Sequence, residues 1–195
     1  MTDFKRSTWT GHADDRGAVS AQPVLTTERL VLRPLRRADA GLIALYTGDA
    51  RLARMTMNIP HPLPPGRTEA FIERVLTGER GETVWVIEHT GSVADGLIGL
   101  ISLKDDGGIG YWVGAPFWST GFATEAVGRI VAWARGQDRG PLHAEVFQDN
   151  AASAKVLTKT GFAYIGQGRR YCTARQAEVD TWRYSLAHET WAQDA

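Results

Sequence analysis

The chain has one cysteine, no excess charge of either sign and no long apolar run. A single thiol, Cys172, excludes an internal disulfide framework and a cysteine-based metal site. Twenty-two Lys and Arg balance 22 Asp and Glu, so the basic surplus that marks a nucleic-acid binder is missing and nucleic acid is not expected as the main partner. The histidines, His12, His61, His89, His143 and His188, are scattered without ligand spacing, so no metal is expected. No stretch reaches membrane-spanning length and the N-terminus lacks an apolar signal core, which sets the expectation of a cytoplasmic protein with no membrane partner. Neither nucleotide-phosphate pattern is present: no Gly-Lys-Ser/Thr closes a glycine loop, and there is no Gly-x-Gly-x-x-Gly.

What is present suits one α/β domain, since 195 residues can bury a proper core. Residues 1–24 are polar and without period and are expected to form a flexible arm, with Trp9 able to dock; the domain is expected over 25–190. Leu30 and Leu32 alternate with Val31 and Arg33 in a strand stopped by Pro34. Helical spacing follows over 38–46, with Asp39 as its cap. Pro60, Pro62, Pro64 and Pro65 hold the next segment extended, either as a surface connector or as a stiff loop beside a cleft. A helix from Thr68 through Phe71, Ile72, Val75 and Leu76 stops at Gly78 or Gly81, and two strands, 83–89 and 96–103, join through a turn containing Gly91.

The organising stretch runs from Ile109 to Arg135. Ile109–Ala115 is short, apolar and aromatic, a buried strand ended by Pro116. From Gly121 the period changes: Ala123, Ala126, Val127, Ile130 and Ala134 share one face, and Glu125 and Arg129 pair on another. A helix entered through glycine offers unpaired N–H groups and its positive dipole end to phosphate. By itself this is more often plain α/β architecture. After Gly140-Pro141, a strand over 142–147 puts His143, Glu145 and Phe147 on one face. The next helix has an Asp149 or Asn150 cap and a stop at Gly161. Closing strands follow over 163–169 and 179–187.

Two sets of residues carry a resemblance. The order Tyr111-Trp112-Val113-Gly114, Trp118-Ser119-Thr120-Gly121-Phe122-Ala123-Thr124-Glu125 resembles the acetyl-CoA loop of the GCN5-related N-acetyltransferases (GNAT), with Trp118 where that loop usually has Gln or Arg. Asn150, Ser153, Val156, Leu157, Lys159, Gly161 and Phe162 resemble the family's second pattern at matching spacing. The opening Thr27-Glu28-Arg29-Leu30 is similar to the branch that acetylates ribosomal-protein N-termini (RimJ/RimL-like). The resemblance covers roughly residues 25–187. It implies one α/β (α+β) domain with a central mixed, mostly antiparallel sheet of about six to seven strands, flanked by helices. That sheet would be splayed between its fourth strand, 109–115, and its fifth, 142–147.

The implied activity is direct transfer of acetyl from acetyl-CoA to an amine in a ternary complex. The acceptor would be a protein N-terminus or a small molecule; a homodimer is allowed, and a non-catalytic acyl-CoA-binding module stays open. Backbone N–H groups from Thr120 to Ala123 would face the pyrophosphate, with Gly121 permitting close approach and Trp118, Ser119, Phe122 and Thr124 also in the cofactor site. A backbone N–H near a bulge in the fourth strand, within Trp112–Gly114, would answer the oxygen that gains charge. Glu145 is the candidate proton acceptor, with His143 in reserve, though Glu145 reads equally as a strand residue paired with an arginine. The tyrosine that serves the leaving thiolate in relatives is replaced by Leu157, which moves that role to Ser153, unless Ser153 only caps its helix. Asn150 would bind cofactor or cap, and nothing near Cys172 suggests a base to activate it.

Overall fold

A computed structural model of the chain describes residues 22–90, 96–137 and 139–187. Five antiparallel strands form the first sheet in chain order: β1 (Leu25–Thr26), β2 (Leu30–Pro34), β3 (Glu82–His89), β4 (Gly96–Lys104) and β5 (Ile109–Val113). Three more, β6 (Leu142–Phe147), β7 (Ala163–Cys172) and β8 (Ala177–Leu186), form a second antiparallel sheet with β8 in the middle. Eight strands appear where about six to seven were expected, since a turn splits the first one. Thr27 N–H and Oγ1 both point to the Leu30 carbonyl, at 2.9 and 3.3 Å, and that turn separates β1 from β2.

The splay lies where the resemblance put it. Among the described residues β5 and β6 meet at one parallel bridge, Gly108 with His143, where His143 N–H donates to the Gly107 carbonyl at 3.0 Å. The backbone at Gly107 is left-handed (φ 87°), and a Cβ there would sit 2.4 Å from the Pro141 carbonyl oxygen. Glycine is what lets the two strands touch at this point.

The helices cover both faces of the first sheet. Helices α1 (Ala40–Thr47), α2 (Ala50–Ala53) and α3 (Arg67–Leu76) precede β3, and α4 (Phe122–Gly136) and α5 (Ala151–Lys159) follow β5 and β6. Alternation along β3 sends Val84 and Val86 to a core with Ile43 and Ile72, and Trp85 and Ile87 to a larger core with Val127, Ile130 and Leu157. Burial on both faces explains the unbroken apolar run at 84–87. Ile130, fully buried on α4, contributes about 1.5–3 kcal/mol by leaving water. The larger core also takes Leu142, Ala144 and Val146 from β6 and Leu186 from β8, so one apolar mass backs both sheets.

Two local expectations need correction. Asp39 does not cap α1 with its side chain; its carboxylate accepts from Arg36 N–H at 2.8 Å and pairs with the buried Arg33 guanidinium at 2.8 and 3.0 Å. The end of the expected arm is tied down: Gln22 Nε2 donates to the Val84 carbonyl at 2.8 Å, and Trp85 Nε1 to the Pro23 carbonyl at 2.9 Å. The rest of that arm, Trp9, the Gly91 turn and His188 lie outside the described residues. Among the described residues no helix is long and apolar enough to cross a membrane.

Candidate active site

The turn into α4 is shaped by two left-handed residues, Ser119 (φ 62°) and Gly121 (φ 86°). The first intrahelical bond runs from Glu125 N–H to the Gly121 carbonyl at 3.1 Å, which leaves the N–H groups of Phe122, Ala123 and Thr124 outside the helix's own ladder. Arg29 locks this turn from β2's side: it pairs with Glu125 at 2.6 Å, donates to the Thr120 carbonyl at 3.1 Å and lies over the Phe122 ring at 4.6 Å. Glu125 also accepts from Thr27 Oγ1 at 2.6 Å, and these donors hold its carboxyl below the usual carboxylate range against burial, the largest influence, which pushes it up. Phe122 itself is buried, so its side chain belongs to the core and only its backbone faces the turn.

Along β5 the ladder decides which amides are available. Lys104 N–H donates to the Gly108 carbonyl and Gly114 N–H to the Ile98 carbonyl, so in this register Gly108, Gly110, Trp112 and Gly114 point at β4. The alternate residues, Tyr111 and Val113, turn their backbone groups toward β6. Of the expected trio Trp112–Gly114, Val113 alone therefore presents its amide to the gap. The expected bulge is not in β5, whose register with β4 is unbroken; register shifts occur instead between β3 and β4 at Ile87/Glu88 and between β7 and β8 at Tyr164/Gly166. Trp118 has a role that its departure from Gln/Arg did not foretell: its indole N–H donates to the Val113 carbonyl at 2.7 Å. Gly114 is needed for packing, since a Cβ would sit 2.7 Å from Cδ1 of Tyr46.

A cavity of about 440 Å³ opens on the α1/α3 side and continues to the gap between β5 and β6. Ile59, Pro60 and Leu63 line it, so the proline-rich loop does stand beside a cleft. The chain just before that loop is fastened to the β7–β8 turn, with Thr173 N–H on the Met57 carbonyl at 3.0 Å and Arg175 Nε on the Arg54 carbonyl at 2.8 Å. Cys172 is fully buried against the Arg54 and Thr56 carbonyls, with no base among its contacts.

Trp112, His143, Glu145, Asn150 and Ser153 all reach this cavity, whereas Trp118 through Thr124 stand outside it at the α4 turn. Glu145 is paired: Oε2 accepts from Arg170 Nε at 2.8 Å and Oε1 from Thr181 Oγ1 at 2.5 Å. Gly168 makes room for it, since a Cβ there would sit 2.7 Å from Oε1. His143 is half exposed, 3.5 Å from Asp106. Asn150 caps α5 through its side chain, which accepts from Ser153 N–H at 3.1 Å. Ser153 Oγ is thereby free of capping and lies 2.8 Å from Tyr111 Oη. Leu157 is fully buried in the core, away from the gap.

A family model for the acetyltransferase (GNAT) domain matches residues 29–163, which include the α4 turn, the β5–β6 gap and α5. The chain belongs to the GNAT acetyltransferase family. Its cofactor is acetyl-CoA, and the expectation of an N-acetyltransferase holds. A relative, the uncharacterized N-acetyltransferase YoaA of Bacillus subtilis, is 29% identical over 172 residues, 84% of this chain and 96% of its own. The ribosomal-protein-S5-alanine acetyltransferase of Vibrio fischeri superposes with a TM-score of 0.70 at 23% identity, over 87% of this chain and 99% of its own. The microcin C7 self-immunity acetyltransferase MccE, in complex with acetyl-CoA and AMP, gives 0.71 at 16% identity, over 83% and 93%. At these identities the likeness to both solved structures is one of fold.

The GNAT cofactor fits the α4 turn. Three N–H groups lack helical partners there, and Gly121 holds a left-handed φ of 86° that suits glycine. Tyr111 and Arg29 escaped the sequence reading. In the sequence Tyr111 is only part of the strand motif, and its hydroxyl partner lies 42 residues away. Arg29 was read only as part of an opening motif, with its partners at α4 more than 90 residues on.

Proposed function

We propose that the protein acetylates the α-amine of a protein N-terminus, admitted through the cavity beside the proline-rich loop. What carries this reading is that one cavity includes both that loop and the gap holding Tyr111, Glu145 and Ser153. Bound acetyl-CoA supplies an acetyl group activated as a thioester. The residues of this chain divide the remaining work. The N–H groups of Phe122, Ala123 and Thr124, beside Gly121, bind phosphate. Val113 N–H is the donor placed at the open strand edge. Tyr111 Oη holds a proton, because burial pushes its phenol up to about 12 while the Ser153 hydrogen bond acts the other way. With Ser153 Oγ at 2.8 Å, it takes over the proton-donor task that Leu157 cannot perform. Glu145 is the proton acceptor for an incoming ammonium, which must share it with Arg170 and Thr181.

The resemblance of the opening Thr27-Glu28-Arg29-Leu30 to the ribosomal-protein branch supports a peptide acceptor. A second reading, a small-molecule amine, is favoured by the cavity's size, which falls at the small end of ordinary ligand pockets. Release of free thiol from acetyl-CoA, followed with N-terminal peptides and with small amines, tests both. Turnover on peptides supports the proposal, turnover on small amines alone replaces it with the second reading, and release with neither overturns the amine-transfer reading.

A further inference from the structure

Two arginines of α3 face the cavity and form no ion pair among the described residues, although Glu79 and Asp105 share an adjoining groove with Arg74. Arg67, Phe71 and Arg74 stand four and three residues apart on one helical face, and all three line the cavity. The other cations in its wall are matched. Arg80 pairs with Glu82, Arg170 pairs with Glu145, and Lys104 acts on Asp106. The carboxylates of α3 are of no help, since Glu73 is engaged by Arg37 at 2.6 Å and Glu69 is exposed, two residues from Arg67 and so off its face.

Arg74 carries a further mark. Its Nε is sealed from solvent and has no hydrogen-bond acceptor, a state that buried donors rarely keep. Arg67 likewise makes no side-chain ion pair or hydrogen bond among the described residues. Arg80, paired with Glu82, stands with its guanidinium 5.2 Å from the Phe71 ring centroid.

We propose that the acceptor is acidic: it carries carboxylates close behind its amine, and Arg67 and Arg74 receive them while the amine lies at the β5–β6 gap. This rests on the amine-transfer reading above. The two arginines start about 10 Å apart along α3, a spacing suited to two acidic side chains of an extended segment. Guanidinium groups also take carboxylates through paired N–H donors. An acidic peptide following a protein N-terminus is the source that the spacing favours.

The test compares a serine-first peptide with glutamates at its second and fourth positions against the same peptide with glutamines, and free glutamate against glutamine. The acidic peptide should have the higher kcat/KM by roughly ten- to a hundred-fold, through KM rather than kcat. The double variant Arg67→Gln/Arg74→Gln should erase that difference by raising KM for the acidic peptide, with the KM for acetyl-CoA unmoved. Equal kcat/KM for the two peptides overturns the inference, as does a preference that survives the double variant or a variant effect falling on acetyl-CoA instead. A charge preference confined to the free amino acids keeps the carboxylate and overturns the peptide. Should no acceptor be turned over, binding to the acetyl-CoA-loaded protein decides. Tighter binding of the acidic peptide, lost in the double variant, keeps the acidic site and overturns amine transfer alone, and equal binding overturns the inference.

Discussion

Tyr111 Oη stands 2.8 Å from Ser153 Oγ and 3.1 Å from the Ser153 carbonyl oxygen, which ties β5 to α5 across the gap between the sheets. The phenol donates to the Ser153 carbonyl and is left able to accept from the Ser153 hydroxyl, so the pair holds a proton in a mostly buried place.

Tyr111→Phe removes that proton and leaves the ring. Turnover should fall by roughly two orders of magnitude, the lower range for general acid–base help, with acetyl-CoA affinity nearly constant. Ser153→Ala should fall less and leave α5 intact, because Asn150 supplies the cap. Steady-state kinetics with calorimetric binding separates the two effects, and wild-type turnover in Tyr111→Phe would remove the phenol from the chemistry.

The same phenol gives a stability signature. Its folded pKa of about 12 lies above the ordinary 10.0, so between those values the folded chain holds a proton that the unfolded chain releases. Stability is unaffected by this group below pH 10 and declines as pH rises toward 12, by on the order of 2–3 kcal/mol. Urea titrations across that window should show the decline in the wild type and a shallower one in Tyr111→Phe.

Glu145→Gln preserves shape and removes a proton acceptor. If the carboxylate serves the incoming amine, kcat at neutral pH should drop by roughly 10²- to 10⁴-fold and recover as pH approaches the amine's own pKa. If Glu145 only anchors Arg170 and Thr181, the melting temperature falls and the deficit is the same at every pH. A pH–rate profile beside a thermal melt distinguishes them.

Gly121→Asp places negative charge at the α4 turn, whereas Gly121→Ala adds only a methyl group at a left-handed φ. The alanine should cost about 1–2 kcal/mol of folding and little cofactor affinity, since the nearest atom to the new Cβ is an arginine tip at 3.5 Å. The aspartate should abolish acetyl-CoA binding measured by calorimetry. Undiminished binding in a folded Gly121→Asp protein would move the cofactor site elsewhere.

Asp39→Ala leaves Arg33 buried with Glu88 as its remaining partner, at 3.1 Å. Breaking a buried pair in this way should cost about 3 kcal/mol, read as a lower denaturation midpoint with activity per folded molecule preserved.

Periodicity carried much of the fold into plain view. Ala126, Val127, Ile130 and Ala134 are all buried on the α4 face that their spacing selects, and Leu30 and Leu32 point into the core as their alternation requires. The two patterns that resemble GNAT proved to be the starts of α4 and α5, on strands flanking one gap. Short elements and distant pairs were less legible. Helix α2 is a single turn, with an Asp49 side chain accepting from Arg51 N–H at 2.8 Å, too brief for any period to register. Asp39 looked like a cap by position, yet a buried guanidinium six residues earlier took its carboxylate. Tyr111, Arg29 and Arg74 owe their places to neighbours far along the chain or to the want of any, and no local spacing encodes either.

The two sheets share an apolar interior while sharing almost no backbone ladder, and the link from α4 to β6 passes through exposed Gly140 and Pro141. A cut between those two residues would yield two fragments that each keep one sheet's ladder and bare one half of the same core. Mixed together, they would find one another through interlocking side chains, with little strand register to search, and a reunited pair would close the gap from both sides. Acetyl transfer could then report on whether two fused partners have met.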